Sequence, residues 1–101
     1  MQYRSLNMAK EVQVNVHVDT IQKSLAQDKA ILGTKRTLKQ LRANAIATVY
    51  VSKTLSDEMK SDIEHYASLT QTPVEYLAMD NEELSVVCKK PFRISVVSIR
   101  K

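Results

Sequence analysis

Residues 31–41 read ILGTKRTLKQL, and the fold turns on how they are read. Ile31 and Leu32 close a short apolar run, AIL, that fits a buried strand, and Gly33, the only glycine in the chain, ends it. Beyond it Leu38, Leu41 and Ala45 recur at helical spacing on one face, and Thr34 stands where a helix cap belongs. Strand, glycine, helix is the repeating unit of an α/β fold. This unit also carries an electrostatic oddity. A helix N-terminus bears partial positive charge and favours Asp or Glu nearby, yet Lys35, Arg36 and Lys39 follow Gly33 with no acid among them.

On the N-terminal side, VNVHVDTIQKSLAQDK spaces Val18, Ile21 and Leu25 as a helical stripe, although the alternating VQVNVHV at its start also matches a strand. On the C-terminal side, AIATVYV is β-branched and apolar, a buried strand. TLSDEMKSDIEHYASL is a helix, with Thr54 and Asp57 at capping-box spacing, acids in the first turn, and Met59, Ile63 and Tyr66 as its buried stripe. TPVEYLA is a strand with Pro73 at its entry. MDNEELSVVCKK is a short helix capped by Asp80 or Asn81, with Leu84, Val87 and Cys88 facing inward. Pro91 breaks the chain before the last strand, RISVVSIR. Eight elements alternating with short connections predict a central sheet covered by helices on both faces.

The chain of 101 residues suffices for one domain, expected over residues 14–101 behind a poorly ordered extension, 1–13, in which Met8 is an alternative start. One cysteine excludes a disulfide framework and fits a reducing, intracellular compartment. No apolar run reaches the roughly 18–20 residues that span a bilayer. The charge is divided along the chain. Ile31–Leu55 holds five basic residues (Lys35, Arg36, Lys39, Arg42, Lys53) and no acid. Ser56–Cys88 holds eight acids against Lys60, and residues 89–101 hold five basic residues (Lys89, Lys90, Arg93, Arg100, Lys101) and no acid. That division predicts one cationic face for a polyanion and an acidic remainder turned away from it.

Two motifs could carry function. Gly33 permits a positive φ and a close backbone approach, so the following helix start, with its amides and cations, is a candidate phosphate site; a turn glycine followed by surface lysines is the plainer reading. In KKPFRI, Phe92 stands between Lys90 and Arg93, either as a base-stacking aromatic at a loop tip or as a core residue opening the last strand. Catalytic readings fail for want of a constellation. His17 and His65 lie in separate helices without motif spacing, Cys88 falls on an apolar helix face, and no metal-ligand spacing occurs. No catalytic residue, cofactor, metal or small-molecule substrate is expected.

From Ile31 onward the sequence resembles the L-thirty-e family of archaeal and eukaryotic large-subunit ribosomal proteins, within the L-seven-Ae superfamily of kink-turn RNA binders. ILGTKRTLKQL, SDIEHYASLTQTPVEY, NEEL and CKKPFRISVVSI carry the resemblance, without gaps. It implies a three-layer α/β/α sandwich around a four-stranded mixed sheet, with three loops gripping the bend of a kink-turn near its tandem sheared G·A pairs. Carried onto this chain, the contacts would be Gly33, Thr34, Lys35 and Arg36, with Lys39 one turn on. Ser52, Lys53 and Thr54 would form the second group, and Lys90, Pro91, Phe92 and Arg93 the third. The implied partners are an rRNA kink-turn and neighbouring ribosomal proteins, on the cytoplasmic ribosome. The family usually has glycine at the positions of Ser85 and Lys89 and often asparagine at Thr54. These departures keep two alternatives open: a kink-turn binder of a guide-RNA or regulatory ribonucleoprotein, and a protein-interaction scaffold that has lost RNA binding.

Overall fold

A computed structural model describes residues 17–101; the expected extension 1–13 and positions 14–16 of the expected first helix lie outside the described residues. Helix α1 covers residues 17–26. It is followed by β1 (Ala30–Leu32), α2 (Thr34–Arg42), β2 (Ile46–Val51), α3 (Asp57–Leu69), β3 (Val74–Tyr76), α4 (Asn81–Val87) and β4 (Val96–Arg100). The strands form one sheet in the order β1-β4-β2-β3. β4 runs antiparallel to both β1 and β2, and β3 runs parallel to β2, so the sheet is mixed as expected.

The pleat sorts the strand residues into two cores. Ile31, Val49, Val51 and Val96 face Leu41 of α2 and Ile63 and Ala67 of α3. Tyr50 and Val97, with Ala30, Leu32 and Ile99, face Ile21 of α1, Leu84 of α4 and Cys88 at the C-terminal cap of α4. Two helices therefore cover each face, a three-layer α/β/α sandwich. Strict alternation would turn Ile46 away from Val49, yet both lie in the same core. The pairing supplies the reason. Ile46 pairs with Arg100 and Thr48 with Ile99, so Ala47 is an extra residue, a bulge that resets the phase.

Buried hydroxyls are paired where they occur. Thr37 of α2 and Ser98 of β4, both fully buried, share a hydrogen bond of 3.0 Å across the helix–sheet interface. Each helix ends in a nested pair of backbone bonds of the Schellman type. In the outer bond Lys29 N–H donates to Ser24 C=O, Ala45 to Gln40, Thr72 to Ala67 and Lys90 to Ser85, at 2.8–3.0 Å. The left-handed residue this motif requires is Asp28, Asn44, Gln71 and Lys89 in turn, at φ 54–56°. No glycine fills any of the four.

Two caps differ from expectation. Ser56, not Thr54, caps α3 by accepting from Met59 N–H at 3.3 Å. At α2 the capping position is Gly33, and Thr34 is the first helical residue. Asp80 caps α4, accepting from Glu83 N–H at 2.8 Å.

Candidate nucleic-acid interface

Sheet polarity decides which loops meet. Val51 pairs with both Val96 and Tyr76, and Leu32 pairs with Val97. The C-terminal ends of β1, β2 and β3 therefore lie beside the N-terminal start of β4. The connections 33, 52–56, 77–80 and 88–95 gather at this one end, which we call the loop end. Backbone bonds lace them together. Gly33 N–H donates to Val96 C=O at 3.0 Å and Ser52 N–H to Ser95 C=O at 2.9 Å. Lys53 N–H donates to Met79 C=O at 2.9 Å and Ile94 N–H to Asn81 C=O at 3.2 Å.

The three expected contact groups thus converge, and a fourth connection, 77–80, joins them. Sequence reasoning missed that fourth member because its residues carry no cation or aromatic. Only the parallel pairing of β3 with β2 brings them here.

Gly33 has φ 105° and ψ 152°, a region that essentially only glycine occupies. A Cβ there would meet no heavy atom within 4 Å, so the glycine is required by backbone geometry and leaves an open approach. Three helices, α2, α3 and α4, start at the loop end. α3 and α4 have side-chain caps and acids in their first turns, Asp57 and Glu58 in one and Glu82 and Glu83 in the other. α2 has neither cap nor acid. The acids are therefore not confined to a remote face, as the division along the sequence predicts. Each helix dipole draws them to a helix start, and those starts share one end of the sheet. What remains is a local contrast: α2 alone of the three leaves its amides open to an outside anion.

Around that start Lys35, Arg36, Lys53, Lys90 and Arg93 are exposed, and none is in an ion pair among the described residues, where the ion pair is Lys23–Asp19. Lys39 stands apart. Because α2 has nine residues, Lys39 lies in its last turn with Arg42, where a cation complements the dipole. Arg42 is engaged by the Tyr66 ring, 4.8 Å from its centroid.

Phe92 is 53% exposed in the turn after Pro91, and Ile94, 2% exposed, takes the core position instead. The core alternative for Phe92 is thus removed. Ser52 is fully buried, so it lies beneath the surface and not on it. Its hydroxyl is 3.2 Å from that of Thr54, and Thr54 Oγ1 accepts from Asn81 N–H at 3.1 Å. Asn81 C=O in turn holds Ile94 N–H, so the Thr54 hydroxyl clamps the 52–56 loop to the start of α4 and, through it, to the Phe92 turn.

Other reactive side chains have structural surroundings. His17 packs edge-on against Tyr50 at 5.3 Å and His65 against Tyr66 at 5.2 Å. Burial pushes the Cys88 thiol up to about 11, against a smaller opposing pull from Lys90. No group of three potential metal ligands occurs, and no helix is long and apolar enough to cross a membrane, among the described residues.

Comparison with known proteins places this geometry. Large ribosomal subunit protein eL30 of Saccharolobus solfataricus is 39% identical over 75 residues, covering 74% of this chain and 69% of its own. That of Trypanosoma brucei brucei is 33% identical over 97 residues, covering 91% and 90%. A solved structure described as the Giardia lamblia 15.5kD RNA binding protein shares the fold, with a TM-score of 0.74 at 14% identity over 88% of this chain and 75% of that one. The family model described as the ribosomal protein L7Ae/L30e/S12e/Gadd45 family matches residues 17–101, and the chain belongs to that family.

Proposed function

We propose that the loop end binds kink-turn RNA and that the protein is a non-catalytic component of the large subunit of the cytoplasmic ribosome, held there by rRNA and neighbouring proteins. The observation that carries this reading is the uncapped, acid-free start of α2 at a loop end that also bears five exposed cations, none of them in an ion pair among the described residues. Amide donors and the positive end of the helix dipole suit a phosphate, and Lys35, Arg36, Lys53, Lys90 and Arg93 would neutralise its neighbours on a sharply bent backbone. Open space at Gly33 admits that backbone closely. Phe92 offers a ring face to an unstacked base. Thr34 and Pro91 shape the two turns, while Ser52 from beneath and Thr54 at the surface hold the loops in place. The ribosomal role is supported by relatives that bear the name of a large-subunit protein.

The deciding experiment is a salt titration of binding to a kink-turn RNA and to the same RNA with its G·A pairs replaced. Tight binding to the first alone is expected. Equal, weak and salt-sensitive binding to both would reduce the surface to a merely cationic one. Sedimentation of the tagged protein with large subunits tests the ribosomal assignment, and its absence there despite tight kink-turn binding would favour another ribonucleoprotein.

A further inference from the structure

Two shallow grooves adjoin on the side of β1 away from the loop tips. One lies between edge strand β1 and α2 and includes Asp28, Arg36, Lys39, Gln40 and Arg100; the other includes Lys29, Gln40, Asn44, Arg100 and Lys101. Five cations line the pair against one acid, Asp28. They come from the α1–β1 turn, α2 and the end of β4, so the clustering is tertiary. Arg36 belongs to the first turn of α2 and Lys39 to its last, which makes the band continuous with the loop end.

The band is also partly fixed in place. The Arg100 guanidinium donates to Asp28 C=O, and Lys101 Nζ donates to Asn44 Oδ1 at 2.9 Å. Each keeps further N–H groups for an outside acceptor. Gly33 N–H and Lys29 C=O bond to β4. By the alternation of an antiparallel ladder Ala30 therefore turns its backbone away from β4, on the edge side where it lines the first groove.

We propose that this band is a second RNA contact, in which Lys29, Arg100 and Lys101 hold phosphates of a stem flanking the bend bound at the loop end. The inference rests on the kink-turn reading. An elongated row of cations running from the loop end suits a phosphodiester backbone, whose charges repeat at regular intervals, better than a compact anion.

The test compares a kink-turn RNA with truncated stems and the same RNA with either stem lengthened by about one helical turn. Lengthening one of the stems should tighten wild-type binding about tenfold and steepen the salt slope by roughly 0.7–0.9 for each phosphate gained. In R100Q/K101Q that gain should vanish while affinity for the truncated RNA stays unchanged. K29Q/K101Q, which leaves the Arg100–Asp28 bond intact, should lose most of it. No gain on lengthening either stem, or a gain kept in both variants, overturns the second contact. Failure of the wild type to prefer even the truncated kink-turn over its G·A-replaced form would instead sink the reading beneath it.

Discussion

At Phe92, a ring 53% exposed between two cations has no packing duty to explain it. Phe92→Ala should leave stability within about 0.5 kcal/mol, as for an exposed site. It should also weaken RNA binding by about 1–3 kcal/mol, the usual worth of a stacked base. Fluorescence titration beside thermal melting separates the two, and unchanged affinity would remove the stacking role. Thr54 makes the opposite case. Thr54→Val keeps the shape but leaves the Asn81 amide to water, costing about 0.5–1.5 kcal/mol of stability, and Thr54→Ser should restore most of it. Faster amide exchange at Asn81 and Ile94 in the Val variant alone would show the clamp directly. Cys88 sets a pH limit. Its folded thiol titrates near 11, above its ordinary value, so the folded state keeps a proton that the unfolded chain gives up earlier. The contribution is full below about pH 9 and fades toward pH 11. Urea midpoints should fall across that window, and Cys88→Ala should flatten the fall, leaving the part due to Tyr50 and Tyr76, whose hydroxyls are also raised, first by burial.

Among the elements, the helix ends invite improvement. Four left-handed C-terminal positions are held by Asp28, Asn44, Gln71 and Lys89. Asp and Asn tolerate that conformation, whereas Gln and Lys are strained in it by about 1–2 kcal/mol, less what a glycine loses in the unfolded state. Gln71→Gly and Lys89→Gly should therefore each raise stability by up to about 1 kcal/mol in denaturant melts; a loss at both would mean that the Schellman geometry is not the source of strain. Lys89 is one of the two positions where the resemblance implies glycine, and its φ of 56° explains why. Gly33→Ala should destabilise by about 1–3 kcal/mol through φ alone, since no atom lies near an added methyl group.

For the molecule as a whole, the sheet is the device that assembles the interface. With five cations around the start of α2, the log–log salt slope for a truncated kink-turn RNA should be roughly −4, at about 0.7–0.9 per phosphate. A slope near zero would show that these side chains do not meet phosphates. The final basic segment of the sequence is not one surface. β4 carries the chain from Lys90 and Arg93 at the loop end to Arg100 and Lys101 at the opposite one, so adjacent charges in sequence serve different places.

By itself the sequence determined the order of elements, because apolar periodicity, the single glycine and the two prolines act locally. It also marked Lys35, Arg36, Lys90 and Arg93, because clustered cations beside turn residues are visible without a fold. Only the tertiary structure decided strand order and direction, and with them which loops meet. Hydrogen-bond pairing between distant segments leaves no local trace. The same holds for the bulge at Ala47, for Thr54 as a clamp on Asn81 and not a helix cap, and for Phe92 outside the core while Ile94 lies within it. Each of these depends on what stands opposite, and that is set by the sheet.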